Sequence, residues 1–146
     1  MPYAVPMEEV SSERLLGFFE KEKRNGVVAA YLFGSHSEGR AHSESDVDIG
    51  VLLDREIFAT ERERFEARLA LIGRLGSVLE RNDVDLVILN DAPPELGARV
   101  VTEGIRVYCS DEGTDHAFVR DIQLRAADLR PFLERMRRIK VEAIKR

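Results

Sequence analysis

Residues 27–53 have the sequence VVAAYLFGSHSEGRAHSESDVDIGVLL. Seven apolar residues lead into a Gly-Ser pair, a polar stretch follows, and a second apolar run begins within an Asp-Val-Asp triplet. Short, continuous apolar runs next to a turn signal are typical of buried strands. We therefore predict strands over residues 27–33 and 47–53. The polar segment between them is expected to hold a turn and a short helix.

The segments on either side of this unit alternate between helical and strand patterns. Apolar residues at spacings of three and four predict helices, and short apolar runs predict strands. The predicted elements are a helix over about 12–25, a helix over about 60–79, a strand over 85–89, a helix from Asp91 to near Gly104, a strand over 105–109 and a helical stretch over about 114–145. Asp91 is expected to be the N-cap of its helix, since a Pro follows in the first turn. Pro131 is expected to divide or kink the last helix.

This order of elements predicts the α/β (α+β) class, with a small mixed β-sheet and helices packed against it. A chain of 146 residues fits one domain. We therefore expect a single domain over 1–146 with a helical C-terminal extension over about 114–146. The single cysteine, Cys109, excludes an internal disulfide framework and is expected to be a packed strand residue.

Charge is distributed unevenly along the chain. Residues 117–146 hold nine Lys or Arg and four Asp or Glu, a net charge of +5, whereas the whole chain carries −5. The first 116 residues therefore carry −10. The basic C-terminal stretch is either a solvated helix face or a surface for a protein partner, where arginine is enriched. The overall acidic charge argues against direct nucleic-acid binding.

No apolar run approaches the ~18 residues that span a membrane. The N-terminal residues also lack the basic flank and apolar core of a signal peptide. We therefore expect no membrane association and a cytoplasmic location.

Two acids in the Asp-Val-Asp triplet are candidate metal ligands. Asp46 and Asp48 are two positions apart, so on a strand their side chains point to the same face, roughly 6–7 Å apart. Such a pair can ligate a hard cation through carboxylate oxygens. The alternative is an exposed strand start with no ligand. Gly34 and Ser35 favour the first interpretation, because glycine permits close approach to a ligand and a following helix would present free N–H groups to phosphate.

A third carboxylate is expected on a neighbouring strand. Asp83 and Asp85 are the candidates on one face of the segment around residues 81–87. Asp83 lies nearer the turn, where Asp is common for local hydrogen bonding. Asp85 heads the apolar run, so we select it and keep Asp83 as the fallback. Together these residues describe a site for a metal-bound triphosphate.

The pattern of Gly-Ser, ten intervening residues, Asp-x-Asp and a later Val-Asp-Leu-Val resembles the DNA polymerase beta nucleotidyltransferase superfamily. The short chain and the sequences of residues 31–35 and 45–49 resemble the minimal nucleotidyltransferases within this superfamily. These include the MntA-type antitoxins paired with HEPN-domain toxins. The resemblance covers most of the chain. It implies a DNA polymerase beta-like nucleotidyltransferase fold.

The resemblance also implies roles for individual residues. Asp46 and Asp48 would hold Mg²⁺, and Asp85 would complete the metal site and help to deprotonate an attacking hydroxyl. Gly34 and Ser35 would bind the phosphates of ATP. The implied reaction transfers AMP from ATP to a hydroxyl, such as that of a tyrosine, on a HEPN-type toxin. The basic C-terminal helices are a candidate surface for that partner.

One position departs from the family pattern. Many minimal nucleotidyltransferases carry a basic residue before the glycine that corresponds to Gly39, whereas this chain has Glu38. Arg40 is the candidate for supplying the positive charge to the nucleotide. His36 and His42 are either exposed loop residues or contacts to the nucleotide.

Two other functions stay open at this point. One is a nucleotidyltransferase for a small molecule such as an aminoglycoside, although only about 60 residues follow the third carboxylate and a separate acceptor domain is hard to fit. The other is an antitoxin that only masks its toxin through the C-terminal helices.

Overall fold

The strands β1 (Val27–Phe33) and β2 (Val47–Leu53) occupy the predicted ranges and pair antiparallel. The computed structural model describes residues 12–21, 26–34 and 46–145. The other described elements are α1 (Ser12–Lys21), α2 (Glu61–Leu79), β3 (Val84–Ile88), a 3-10 turn (Leu89–Asp91), α3 (Pro94–Glu103), β4 (Ile105–Cys109) and α4 (Glu112–Lys145).

The four described strands form one mixed sheet in the order β3-β2-β1-β4. β2 and β3 are parallel, and the other two pairs are antiparallel. The predicted fold class is therefore confirmed. The continuous apolar runs arise because the central strands β1 and β2 are covered on both faces, so that neither face needs polar residues.

Each face of the sheet has its own helices. On one face, Phe19 of α1 and Leu75 of α2 pack with strand residues such as Ile49 and Leu86. On the other face, Val100 of α3 packs with strand residues that include Tyr31, and α4 contributes Phe118. Alternate residues of each strand therefore point to the α1–α2 side and to the α3–α4 side.

Several boundaries differ from the predicted ones. α1 ends at Lys21 in the described part of the chain, and residues 22–25 lie outside it. β3 starts and ends one residue earlier than predicted. α2 confirms the predicted helix, with Thr60 as its N-cap accepting a hydrogen bond from the Glu63 N–H at 3.1 Å. α4 starts at Glu112, two residues earlier than predicted.

The prediction that Asp91 caps a helix is wrong. The N-cap of α3 is Pro93, and Asp91 ends the 3-10 turn. Its carboxylate instead accepts two hydrogen bonds from the buried Arg64 of α2, both at 2.9 Å. Arg64 also donates to the Phe58 carbonyl at 2.9 Å. This bidentate pair is shorter and stronger than a neutral cap, and it ties the start of α2 to the end of β3.

Pro131 does not divide the last helix, because α4 continues through it from Glu112 to Lys145. A proline inside a helix removes one backbone hydrogen bond, and the turns before and after it can still form theirs. The helix packs closely on α3, where a Cβ built on Gly97 would lie 3.0 Å from Ile122 of α4.

A buried polar cluster attaches the start of α4 to the sheet. The Tyr31 hydroxyl of β1 donates to the Asp115 carboxylate, whose oxygens lie 2.8 and 2.9 Å away. Asp115 is 1% exposed and also accepts a hydrogen bond from Arg106 of β4 at 3.0 Å. Burial, and then the hydrogen bond to Asp115, raises the pKa of Tyr31 above its ordinary value.

We expect Tyr31→Phe to lower the free energy of unfolding at pH 7 by about 1–3 kcal/mol, because a buried carboxylate loses a donor. The raised pKa means that the folded state keeps the Tyr31 proton that the unfolded state releases. The stabilisation is therefore complete below the ordinary tyrosine pKa near 10 and is lost as the pH rises above it. Urea denaturation of both proteins between pH 7 and pH 11 measures the difference, which should shrink above pH 10.

Tyr108→Phe is the matched control. The buried Tyr108 hydroxyl has no hydrogen-bond partner among the described residues, so its removal should cost no stability. A Tyr31→Phe difference that stays constant up to pH 11 would contradict the role given to the hydroxyl.

Candidate functional site

The parallel pairing of β2 and β3 brings two acids together. Asp48 and Asp85 are direct partners in the register of these strands. Adjacent strands lie about 4.8 Å apart, and paired residues point to the same face. That face is the α3–α4 side, since a Cβ on Gly50, two residues along β2 from Asp48, would lie 2.8 Å from Val100 of α3. Asp46, two residues before Asp48, is exposed and on the same side.

Asp83 is the less suitable third carboxylate. Both of its oxygens accept hydrogen bonds from Arg81, at 2.8 and 2.7 Å. A carboxylate held by a bidentate arginine has fewer lone pairs for a cation. Asp85 is more open, with a side chain that is 60% exposed. The selection of Asp85 stays a prediction, and this difference favours it.

Gly34 lies against the Asp48 carboxylate. The end of β1 pairs with β2 so that Phe33 faces Asp48 in the register. Gly34 has φ +77°, a left-handed conformation that favours glycine. A Cβ at this position would lie 2.5 Å from Asp48 Oδ2. The backbone conformation therefore favours glycine, and any larger residue here would require the Asp48 carboxylate to move.

The remaining predicted nucleotide contacts lie outside the described residues. These are Ser35 and Arg40, together with Glu38, His36 and His42. Their proposed roles stay predictions.

Arg68 is a site residue that the sequence analysis missed. It lies on α2, on the other face of the sheet from Asp85, and reaches across the outer edge of β3. Its Nε donates to the Leu86 carbonyl at 2.6 Å, and its Nη2 lies 3.5 Å from Asp85 Oδ1. The contact spans 17 positions of sequence, and no local pattern in a helix such as α2 indicates it.

Within residues 12–21, 26–34 and 46–145, no three His, Cys, Asp or Glu side chains are grouped closely enough to hold a metal ion. The Asp85 carboxylate lies 3.5 Å from the Arg68 guanidinium. The structure therefore places Asp48 and Asp85 side by side in the register without gathering their oxygens with those of Asp46.

The donor set nevertheless fits a magnesium ion bound with a nucleotide. Mg²⁺ takes one or two carboxylates together with phosphate oxygens and water, and this face offers carboxylates from two adjacent strands. Gly34 has no side chain, so its backbone can come close to a ligand bound at Asp48. The arrangement suits phosphoryl or nucleotidyl transfer, in which positioning and charge neutralisation dominate.

The sequence matches the family described as polymerase beta nucleotidyltransferase over residues 13–113. It is 37% identical over 94 residues to the protein adenylyltransferase MntA of Shewanella oneidensis. That match covers 64% of this chain and 63% of the relative, so it spans less than two thirds of the relative's length.

Solved structures resemble most of the chain. A crystal structure described as a toxin–antitoxin complex with AMP-PNP matches with a TM-score of 0.65 and 26% identity, covering 94% of this chain and 100% of the other. A structure of a tri-AMPylated Shewanella oneidensis HEPN toxin in complex with an MNT antitoxin matches with a TM-score of 0.59 and 25% identity, covering 93% of this chain and 100% of the other. None of the helices in the described ranges has the length and apolar character that crossing a membrane requires.

Gly34→Ala should impair both the fold and the site. The left-handed backbone costs a non-glycine residue roughly 1–2 kcal/mol, and the new Cβ would push the Asp48 carboxylate out of place. We expect a loss of stability of that order, measured by urea denaturation, and a loss of nucleotide binding, measured by calorimetry.

Gly73→Ala provides the control. Gly73 lies within α2, and a Cβ there would meet nothing within 4 Å. Alanine should stabilise this helix by about 0.5–1 kcal/mol and leave nucleotide binding unchanged. Equal behaviour of the two variants would refute the special role of Gly34.

Proposed function

Since this chain belongs to the polymerase beta nucleotidyltransferase family, we propose that it is an adenylyltransferase that transfers AMP from ATP to a tyrosine hydroxyl of a HEPN-type toxin. By this modification it acts as the antitoxin. The observation that carries the proposal is the pairing of Asp48 with Asp85 beside Gly34. The relative named protein adenylyltransferase MntA supports the choice of reaction, and the similar AMPylated complex supports the choice of partner.

The order of the strands supports a division of the proposed site between the two reactants. Gly34 follows β1, Asp48 lies on β2 in the middle, and Asp85 lies on β3 at the edge. The nucleotide phosphates then belong on the Gly34 side, with Ser35 and Arg40 as their further contacts. The acceptor hydroxyl belongs on the Asp85 side.

In the proposed step the hydroxyl oxygen of the acceptor attacks the α-phosphorus of ATP. The bond from that phosphorus to the β-phosphate oxygen breaks, and pyrophosphate leaves. Asp85 accepts the hydroxyl proton as the new P–O bond forms. The chain contributes mainly by holding the two reactants in line, which lowers the entropic cost of their encounter.

Asp46, Asp48 and Asp85 are the residues that would hold Mg²⁺. The ion would supply charge neutralisation of the phosphates. Because Asp85 contacts Arg68 in the structure, this role requires its side chain to turn back toward Asp48. ATP is abundant in the cytoplasm, so the proposal places the reaction there.

α4 is the proposed docking element for the partner. It extends beyond the family match, which ends at residue 113. The Asp115 cluster and Ile122 attach its first half to the sheet and to α3, which supports a single domain. Its second half exposes apolar side chains at alternating spacings of three and four, the pattern of a coiled-coil seam. These are Leu129, Phe132, Met136 and Ile139, which are 39–54% exposed.

Arginines and lysines are numerous beside this seam, at 130, 135, 137, 138 and 140. Such a surface favours an amphipathic, acidic partner helix over a second copy of the same basic helix. A small-molecule acceptor such as an aminoglycoside would leave the seam without a function. Masking of the toxin by docking alone remains compatible with the seam and is separated from catalysis by the variants below.

Asp48→Asn and Asp46→Asn should each reduce transfer of labelled AMP to the toxin by at least about 100-fold, the usual effect of losing a metal-binding or charge-neutralising group. Their thermal unfolding should match that of the wild-type protein. EDTA should abolish transfer by the wild-type protein, and Mg²⁺ should restore it.

Asp121→Asn serves as the matched control, since Asp121 is a surface residue that pairs with Arg125 at 3.8 Å. Equal labelling by Asp48→Asn and Asp121→Asn would exclude the proposed chemistry. If Asp48→Asn protects cells from the toxin as well as the wild-type protein does, masking alone is the antitoxin activity.

Phe132→Asp combined with Met136→Asp should weaken the complex with the toxin by at least about tenfold, as the loss of an apolar interface anchor does. Circular dichroism should show that the helix persists. Val141→Asp is the control, because Val141 is 49% exposed but lies on the other side of α4 from Ile139. If calorimetry finds equal affinities for both variants, α4 is not part of the interface.

A further inference from the structure

β3 is an edge strand of the described sheet, with β2 on one side only. The Asp83 carbonyl accepts a hydrogen bond from the Val47 N–H at 3.0 Å, so the backbone of Asp83 points toward β2. In a strand, successive residues point alternately to the two neighbours. The backbone N–H and C=O groups of Val84, Leu86 and Ile88 therefore point outward, away from β2.

The contact of Arg68 agrees with this alternation. Its guanidinium donates to the Leu86 carbonyl, one of the outward groups. An edge strand that carries outward N–H and C=O groups can pair with an added strand from another chain. Arg68 occupies one hydrogen-bond acceptor of this edge, the Leu86 carbonyl. Its side chain lies on the surface of α2 and is a flexible one.

A groove of about 440 Å³ runs along this edge. α2 forms one wall with Phe65 and Arg68, and Pro93, just after the 3-10 turn, forms part of the other. Leu86 and Ile88 contribute from the strand. Phe65 is 52% exposed although it is a large aromatic residue. The volume lies in the usual range for ligand sites, roughly 300–1,000 Å³.

The groove is continuous with the proposed reaction centre, because Asp85 is one of its lining residues. It lies on the side of Asp48 that faces away from Gly34. Arg68 is its only basic lining residue within the part of the chain that the structure describes. The groove combines apolar residues with one arginine and the acids Glu61, Asp85 and Asp91. This net negative lining is a poor site for a triphosphate, whereas the apolar residues suit a polypeptide segment.

We propose that an extended segment of the acceptor protein pairs with the outer edge of β3 and presents its hydroxyl side chain to Asp85. The five residues of β3 match a segment of about five residues, or about 17 Å. Phe65 packs against one side chain of this segment. Arg68 releases the Leu86 carbonyl, which then accepts a hydrogen bond from the backbone of the segment. The hydrogen-bonded pair of Arg64 and Asp91 joins the two walls of the groove, since Arg64 lies on α2 and Asp91 ends the 3-10 turn. The inference rests on the proposed function, since it names where the acceptor of that reaction binds.

Steady-state kinetics with a HEPN toxin that the wild-type chain labels test the groove. Phe65→Ala should raise KM for the toxin about tenfold, because a partly buried aromatic side chain contributes that order of affinity. It should leave kcat and the KM for ATP unchanged. Val78→Ala is the matched control, since Val78 is also 52% exposed on α2 but does not line the groove. Equal KM values for the two variants would overturn the proposal.

Amide hydrogen exchange provides a second measurement on the intact complex. The N–H groups of Val84, Leu86 and Ile88 should gain protection when the toxin binds, whereas those of β4, at the other edge, should not. If the toxin binds and these three amides exchange as before, the acceptor is presented elsewhere and the proposal fails while the proposed function stands. If the wild-type chain labels no toxin at all, the proposed function fails and this inference fails with it.

Discussion

The parallel register of β2 and β3 is the constraint on which the site depends, because it fixes Asp48 and Asp85 side by side on one face of the sheet. Two carboxylates at this separation repel each other unless a cation lies between them or each finds its own partner. The surroundings reflect that requirement. Arg68 approaches Asp85 from the far side of the sheet, and Gly34 leaves the space that Asp48 occupies. A shift of either strand by one residue would turn its own acid to the apolar α1–α2 side.

The helices hold this register through contacts far from the acids. Arg64 is buried and joins α2 to the end of β3 through Asp91, so that breaking the pair would leave an uncompensated charge inside the protein. The hydrogen bonds to Asp91 also raise the pKa of Arg64, which remains charged. The pair fixes α2 at this point. Arg68 lies one turn further along the helix, from where it reaches the edge of β3. Arg68 and Asp85 are therefore held together at the same edge of β3, where both line the groove.

The sequence was sufficient to predict the strands and the face of the acids, since continuous apolar runs and the spacing of Asp46 and Asp48 are local patterns. It was insufficient where contacts between residues distant in the sequence determine the local structure. The residues next to Asp91 suggest that it caps a helix. Its carboxylate is instead bound by Arg64, 27 positions earlier. Pro131 is a helix breaker by propensity, yet α4 continues through it. Arg68 carries no local signature of its role. The Gly-Ser element was predicted as a phosphate site, and of its two residues Gly34 alone lies among those described.

The Asp115 cluster connects α4 to the strand that ends beside Asp48. Tyr31 holds Asp115 at the start of α4, and only two residues separate Tyr31 from Gly34 along β1. If the toxin docks on α4 as proposed, this hydrogen bond connects the docking helix to the strand that precedes Gly34. The same partner, lying along the edge of β3, would contact the sheet from its other side. In the proposed complex, docking on the seam and presentation at the edge would involve both strands that flank Asp48, and the partner would thereby help to hold the acceptor in line.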